Sequence, residues 1–128
     1  MTVEEILAEV DLKYPNDVDL AHKWGWITQL EKMIADECFS THQISAEEQA
    51  RLREAEATVT FSRDYKPLAQ PPYQDVYIHY VSARIAQLNV DTEAYENESA
   101  LFNNALLTYK NMFNRTHRGV DNGQRWRI

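Results

Sequence analysis

The C-terminal part of the chain carries the pattern that constrains the fold most, an apolar stripe whose steps alternate between four and three residues. The stripe consists of Tyr95, Ser99, Phe102, Leu106, Tyr109 and Phe113. This heptad-like spacing puts all six side chains on one side of a single helix and suits packing against a near-antiparallel partner helix. We therefore expect a long last helix, capped by Asp91 or Thr92, that supplies a large part of the core.

Two capping boxes predict two further helix starts. Thr2 with Glu5, and Ser45 with Glu48, have the spacing in which a hydroxyl and a carboxylate satisfy each other's backbone N–H groups. The first helix ends at Tyr14-Pro15, because the residue before a proline avoids helical geometry. The helix after Ser45 is polar on every side, so we expect it to be marginal alone.

Two longer helices are predicted in addition to those that start at the capping boxes. One covers residues 17–39 and is capped by Asn16 or Asp17, with Trp24, Ile27, Leu30 (or Glu31) and Ile34 at helical spacing. The other is introduced by Pro71-Pro72, which pre-set a first turn, and continues to Asn89. Its predicted face consists of Tyr73, Tyr77, Tyr80, Val81, Ile85 and Leu88.

The rest of the chain shows little helical periodicity. The β-branched, alternating residues 58–61 favour a short strand, and residues 62–70 read as a loop. Residues 116–128 have no periodicity and are predicted to be a flexible tail. The expected fold is mainly α, a small bundle of about four helices with a short β element, in a domain of residues 1–115.

Charge is distributed unevenly along the chain. The net charge of -7 argues against nucleic acid as a general partner. From Arg115 onward there are four arginines and one acid, which leaves nine basic and nineteen acidic residues in the body. A basic tail on an acidic body predicts a separate interaction element.

The sequence offers little for catalysis or metal binding. Cys38 and His42 are four apart, but two ligands are too few for a structural zinc site. No nucleophile elbow, phosphate-binding glycine loop or HExxH motif occurs. We therefore expect no catalytic residues, no cofactor and no metal. The absence of signal-peptide features and of a bilayer-length apolar run predicts a cytoplasmic chain that does not bind membranes.

Two groups of residues are candidates for protein contacts. The tyrosine series could stack on nucleic-acid bases, but its segment offers only Arg84 as a basic residue, so core or subunit packing is favoured. The residues expected to pack in the core or between subunits are Trp26, Ile27, Leu30, Tyr73, Tyr77, Tyr80, Tyr95, Phe102, Leu106 and Tyr109. The basic aromatic end could merely aid solubility, yet Trp and Arg dominate interface hot spots. Its predicted docking residues are Arg115, Arg118, Arg125, Trp126, Arg127 and Ile128.

Three patches, in order, resemble the head–tail connector (adaptor, or head-completion) proteins of long-tailed bacteriophages. The first long helix of that family is similar to Pro15-Asn16, Trp26-Ile27, Leu30-Glu31, Ile34 and Glu37. The family's PYxxxYxxYLxAxI helix is similar to Pro72-Tyr73, Tyr77, Tyr80-Val81, Ala83 and Ile85. Its closing YNNxxxxFN helix resembles Tyr95, Asn97, Phe102-Asn103, Tyr109 and Arg115. The chain departs from the pattern at Glu96, where the family has asparagine, and at Asp91, where it has glutamate.

The resemblance covers residues 15–115 and implies a structural virion protein. Such a protein forms a ring, dodecameric in the virion, between the portal protein and the next head-completion or tail protein. DNA passes through the ring without specific binding, and the C-terminal segment docks into the portal. The chain is then expected in the host cytoplasm before assembly and at the head–tail junction afterwards.

Two other functional classes, a DNA-binding module and an enzyme, would require different features of the sequence. A small helical DNA-binding or packaging module, similar to a terminase small subunit, needs a basic face on a folded helix, whereas the basic cluster here lies in the tail. An enzyme needs a pocket with convergent polar groups. The resemblance favours the connector over both.

Overall fold

A computed structural model describes residues 1–58 and 60–119, and this part of the chain forms five α-helices. They are α1 (Val3–Lys13), α2 (Leu20–Ile34), α3 (Ala46–Ala57), α4 (Asp75–Leu88) and α5 (Thr92–Thr116). α4 packs against α1, α2 and α5, so it is the central helix. Eight of its 14 residues are buried, as expected for a helix surrounded by others. The prediction of a mainly helical bundle is confirmed.

Both predicted capping boxes are formed. The Thr2 hydroxyl accepts from the Glu5 N–H at 3.3 Å, and the Glu5 carboxylate accepts from the Thr2 N–H at 2.8 Å. Ser45 and Glu48 make the same reciprocal pair at the start of α3, at 3.1 and 2.9 Å. α1 ends at Lys13, two residues before Pro15. Local sequence alone therefore located both helix starts.

The predicted cap of α2 is wrong. Asp19 is the cap, and its carboxylate accepts from the His22 N–H at 2.8 Å. Asn16 is occupied in the preceding turn, where its side chain accepts from the Val18 N–H and donates to the Tyr14 carbonyl. Asn side chains compete in this way for local backbone groups, which moved the helix start three or more residues further along the chain.

α2 continues directly into one π-helical turn, Ala35–Phe39. Its signature is the Ser40 N–H, which donates to the Ala35 carbonyl at 2.9 Å, five residues earlier. Cys38 and Phe39 are both buried there, and the rings of Phe39 and Phe113 lie 5.1 Å apart. The predicted end of this helical segment at residue 39 is confirmed, although the change of helix type was not predicted.

No strand forms among the described residues, so the predicted β element is not found at residues 58, 60 and 61, and Val59 lies outside the described part. The Thr58 N–H donates to the Glu54 carbonyl and ends α3, and the Phe61 ring packs edge-on against Trp24 at 5.7 Å. β-branched alternation favours a strand only where a neighbouring strand supplies hydrogen bonds. The described residues contain just one isolated bridge, between His42 and Gly119.

α5 is capped by Asp91, as predicted, and the aromatic end of its stripe is buried. Tyr109 and Phe113 are enclosed, while Phe102 and Leu106 are half-buried. Tyr95 is 37% exposed, so it does not belong to the core of the single chain, and its packing between subunits stays a prediction. At that level of the helix the buried position belongs to Glu98, whose carboxylate binds His79 of α4.

The other residues predicted to pack in the core divide into two groups. Ile27, Leu30, Tyr77 and Tyr109 are buried. Trp26, Tyr73, Tyr80, Phe102 and Leu106 are half-buried and pack against the core. Leu88, predicted on the buried face of α4, is 56% exposed because it is the last residue of that helix. Tyr73 precedes α4, which begins at Asp75, yet its ring packs edge-on against Tyr109.

Candidate protein-binding surfaces

Glu31 is a buried carboxylate at the junction of α2, α4 and the loop before α4. It accepts from the hydroxyls of Tyr65 and Tyr77, and from the Leu68 N–H at 2.9 Å. Burial raises the pKa of the Glu31 carboxyl. The three hydrogen bonds lower this pKa but do not outweigh the effect of burial. All three donors are groups of this chain, so the Glu31 carboxylate attaches the loop before α4 to the helical bundle.

Glu98 is a second buried carboxylate, only 1% exposed. It joins α1 to α4 and α5, because it accepts from Lys13 Nζ at 2.9 Å, the Tyr14 hydroxyl at 2.8 Å and His79 Nδ1 at 2.8 Å. Burial alone would raise the pKa of Glu98, but the hydrogen bonds from His79, Lys13 and Tyr14 outweigh it and lower the pKa. Burial and the same carboxylate raise the pKa of Tyr14 to about 12.

Sequence reasoning assigned no role to either acid, although the signal was present. Glu31 lies four residues after Ile27 and three before Ile34, and Glu98 lies four before Phe102. An acid within an apolar stripe points into the core, where burial without partners would be costly. What the sequence did not reveal is which distant tyrosines, lysine and histidine supply those partners.

Cys38 and His42 do not form the start of a metal site. The Cys38 thiol is buried, which raises its pKa to about 11. The His42 ring lies 2.9 Å from the Cys38 carbonyl through Nδ1 and 2.8 Å from the Asn114 side chain through Nε2. Among the described residues, no group of three or more His, Cys, Asp or Glu could hold a metal ion.

A groove of about 390 Å³ lies between α2 and α3. Trp24, Leu52, Ala55 and Tyr65 provide apolar wall, and Asp36, Lys32 and Glu56 lie at its polar part. α3 has no buried residue; its Leu52 and Ala55 pack against the core, and the Arg51 guanidinium donates to the Leu68 carbonyl. The groove lies where α3, which buries none of its residues, offers only Leu52 and Ala55 as apolar contacts.

The C-terminal end of α5 is fastened to the loop before α3. His117 stacks on the Phe113 ring at 3.8 Å, and its Nε2 lies 2.6 Å from the Glu48 carboxylate. The Gln43 N–H donates to the Arg118 carbonyl at 2.7 Å. The body therefore extends to Gly119, four residues beyond the predicted boundary at 115.

The predicted docking residues are only partly described. Arg115 lies in the last turn of α5 and Arg118 follows it; both side chains are exposed. Arg125, Trp126, Arg127 and Ile128 lie outside the described residues.

Basic side chains of the body are mostly engaged by acids or carbonyls. Lys13, Lys23, Arg63 and Lys110 pair with Glu98, Asp11, Glu4 and Glu37. Arg84 contacts the Tyr80 hydroxyl and ring. Consequently no helix of the described part presents a row of unpaired cations of the kind that contacts DNA phosphates.

The side of α5 that faces solvent is uncharged between Ser99 and Asn114, whereas Glu93 and Glu96 are exposed in the first turns of the helix. We call it the outer α5 face, and it consists of Ala100, Asn103, Asn104, Leu107 and Asn111, all exposed. From Ser99 to Asn114 the sequence has one charged residue, Lys110, which is bound to Glu37. None of the described helices is long and apolar enough to cross a membrane. No protein-family profile, curated protein or solved structure matches this chain significantly.

Proposed function

We propose that this protein is a ring-forming subunit of the head–tail connector of a long-tailed bacteriophage. It joins the portal vertex to the tail or to the next head-completion protein and extends the DNA channel. The observation that carries the proposal is where the three family-like patches lie. Most of their residues fall on α2, α4 and α5, and they contribute Leu30, Tyr77 and Tyr109 to one core.

The anchored end of α5 supports the docking role of the C-terminal segment. Because the Arg118 carbonyl accepts from Gln43 and Gly119 pairs with His42, the point of the chain that precedes residues 120–128 is fixed on the body. Arg115 and Arg118 lie exposed beside that point. A docking peptide gains from such an anchor, since less of its freedom is lost on binding.

The charge of the body supports a role in a channel more than one in DNA binding. An acidic wall repels phosphates, so DNA can slide along it, whereas a wall of free lysines and arginines would bind the DNA in a salt-dependent way. Four of the nine basic residues before Arg115 are already paired with acids. These features count against the alternative of a terminase-like packaging module.

The test is electron microscopy of the purified chain mixed with the portal protein encoded beside it. The proposal predicts a ring of added density on the portal, coaxial with its channel, that is absent from portal alone. It is overturned if the chain neither co-sediments with the portal nor adds density to it. Nanomolar binding to one duplex sequence at physiological salt would favour the packaging module instead.

A further inference from the structure

The groove of about 390 Å³ between α2 and α3 has apolar walls that the described residues do not fill. Trp24 and Tyr65 line it, and their rings pack edge-on against each other at 5.7 Å. Leu52 and Ala55 of α3 line it too, and both are half-buried. A recess with aromatic and aliphatic walls and a few polar groups is typical of sites that accept an apolar side chain.

The charges at the edge of this groove are mainly negative. Asp36 belongs to the π-helical turn after α2 and Glu56 to α3, so the two acids come from the two elements that border the groove. Both are exposed, and neither makes an ion pair with a described residue. Lys32 is the one cation among the described residues that line the groove. The groove therefore suits a segment that carries an aromatic side chain between cations.

The last four residues of the chain have this composition. Arg125, Trp126, Arg127 and Ile128 alternate between cationic and apolar side chains. Along an extended segment, successive side chains point to opposite sides. A segment with this alternation can therefore turn Trp126 and Ile128 toward an apolar wall while its two long arginines reach acids at the edge.

The C-terminal segment starts close enough to reach the groove. The Arg118 carbonyl is bonded to the backbone two residues before Ser45, the cap of α3. From Ser45 to Ala55 the helix rises by about 15 Å. Seven residues lead from Gly119 to Trp126 and can span roughly 23–25 Å. Trp126 is therefore within reach, and the attachment at Arg118 raises its local concentration at the groove.

A second recess lies nearer to this attachment but suits the segment less. It is a cleft of about 190 Å³ between α3 and α5, with Tyr109 and Phe113 among its aromatic walls. Its acid, Glu48, is already bound to His117, and Arg51 adds a positive charge. Arginines gain little in a recess whose acid is occupied and whose cation repels them.

We propose that the groove between α2 and α3 holds residues 120–128 of the same chain until this segment engages the portal. Trp126 lies against the apolar wall, and Arg125 and Arg127 bind the acids at the edge. The inference rests on the proposed function in one respect, because the residues held in the groove are those expected to dock into the portal. It adds an autoinhibitory contact, since the groove and the portal compete for one segment.

Photo-crosslinking of the full chain tests where the segment lies. A benzophenone amino acid replaces Trp126, and the dilute chain is irradiated without portal. We expect an adduct within one chain, which mass spectrometry maps to residues 24–36 or 52–58. An adduct elsewhere on the body, an adduct with a second copy, or no adduct overturns the inference and leaves the proposed function intact.

A matched pair of variants in the crosslinking chain tests the groove itself. Ala55→Arg places a bulky cation in the groove, whereas Ala50→Arg places it at an exposed position of α3 that does not line the groove. Ala55→Arg should lower the adduct yield by about fivefold or more, because it fills the site and repels the arginines. Ala50→Arg should leave the yield unchanged. Glu56→Arg changes only an exposed side chain and should lower the yield by about twofold or more. Equal yields in all three variants overturn the inference.

Portal binding by the same variants, with Trp126 retained, tests the competition. One aromatic contact and two exposed ion pairs should keep the segment in the groove about three-quarters of the time. Blocking the groove with Ala55→Arg should therefore tighten portal binding about fourfold, whereas Ala50→Arg should bind like the wild type. Unchanged binding by Ala55→Arg overturns the inference alone. Failure of the wild type to bind the portal overturns the proposed function, whereas the adduct from position 126 still tests the groove separately.

Discussion

Val90 occupies a backbone conformation that usually selects glycine. It lies in the turn between α4 and α5 with φ at 55°, in the left-handed region. Its N–H donates to the Gln87 carbonyl, and the Asp91 N–H donates to the Ala86 carbonyl at 2.9 Å. These two hydrogen bonds form the helix-ending motif that normally has glycine at this position. The Val90 side chain is 84% exposed, so packing recovers little of the strain.

Val90→Gly is therefore expected to stabilise the protein. Removal of the β-branched side chain relieves a left-handed conformation that costs roughly 1–2 kcal/mol, less the greater flexibility of glycine when unfolded. We expect the free energy of unfolding to rise by about 1 kcal/mol in urea titrations. Val90→Ala keeps the Cβ atom and should gain less. A destabilised glycine variant would mean that this turn carries no strain.

Glu98→Gln should destabilise the protein in a pH-dependent way. Its folded pKa lies below the ordinary 4.5, so its contribution is present above pH 4.5 and is lost as the pH falls through the folded value. At pH 7 the substitution should cost about 3 kcal/mol, because the Lys13 and His79 side chains lose their carboxylate.

Urea unfolding of both proteins between pH 3 and pH 8 measures this difference. The difference in unfolding free energy between wild type and Glu98→Gln should become smaller at low pH, since the wild-type carboxyl is then protonated. Glu96→Gln, at an exposed position on the same helix, should change stability by less than about 0.5 kcal/mol. A difference in unfolding free energy that is constant over the whole pH range would contradict the stabilising role of the ionised Glu98 carboxylate.

At the scale of elements, α5 has an uneven buried stripe. Phe113 is 2% exposed and its ring lies within 5.9 Å of Phe39, Tyr109 and His117. Phe102 is half-buried and has one ring partner, Tyr80. Phe113→Ala should therefore cost about 3–5 kcal/mol, and Phe102→Ala about half as much. Chemical denaturation measures both, and equal losses would show that the stripe is uniformly packed.

α3 should be the least stable helix, because none of its residues is buried. Its polar attachments are Arg51 to the Leu68 carbonyl and Glu48 to His117, and only Leu52 and Ala55 pack against the core. Elements with few buried contacts open at low free-energy cost. We expect hydrogen–deuterium exchange in α3 to be about a hundredfold faster than in α4, and faster still in His117→Ala. Equal protection of α3 and α4 would mean that the groove between α2 and α3 is closed in solution.

The sequence predicted those elements whose signals are local. The reciprocal pairs at Thr2 and Ser45, the cap at Asp91 and the stop before Pro15 each depend on residues a few positions apart. The predicted strand at residues 58–61 is not found among the described residues, since a strand requires a partner strand that the local sequence pattern does not reveal. The partners of Glu31 and Glu98 lie up to 46 and 84 residues away, so only the folded chain brings them together.

At the scale of the molecule, the C-terminal segment has two parts with different expected roles. Residues 116–119 are attached to the body through His117, Arg118 and Gly119. Residues 120–128 contain Arg125, Trp126, Arg127 and Ile128, the predicted docking residues for the portal. A single deletion of residues 116–128 would remove the attachment to the body and the docking residues together, whereas two deletions of different length separate the two effects.

Deletion of 120–128 should leave thermal stability nearly unchanged, because this segment has too little apolar content to bury a core and the described contacts at the end of α5 do not need it. The same deletion should weaken co-sedimentation with the portal by more than about tenfold, since loss of Trp and Arg anchors typically costs 2 kcal/mol or more. Deletion of 116–128 also removes the stacked His117 and its bond to Glu48, so it should lower the unfolding free energy by about 1–3 kcal/mol. Calorimetry and sedimentation with the portal measure the two effects separately. If the shorter deletion unfolds the body, residues 120–128 belong to the core; if it binds the portal as well as the full chain does, they are not the docking segment.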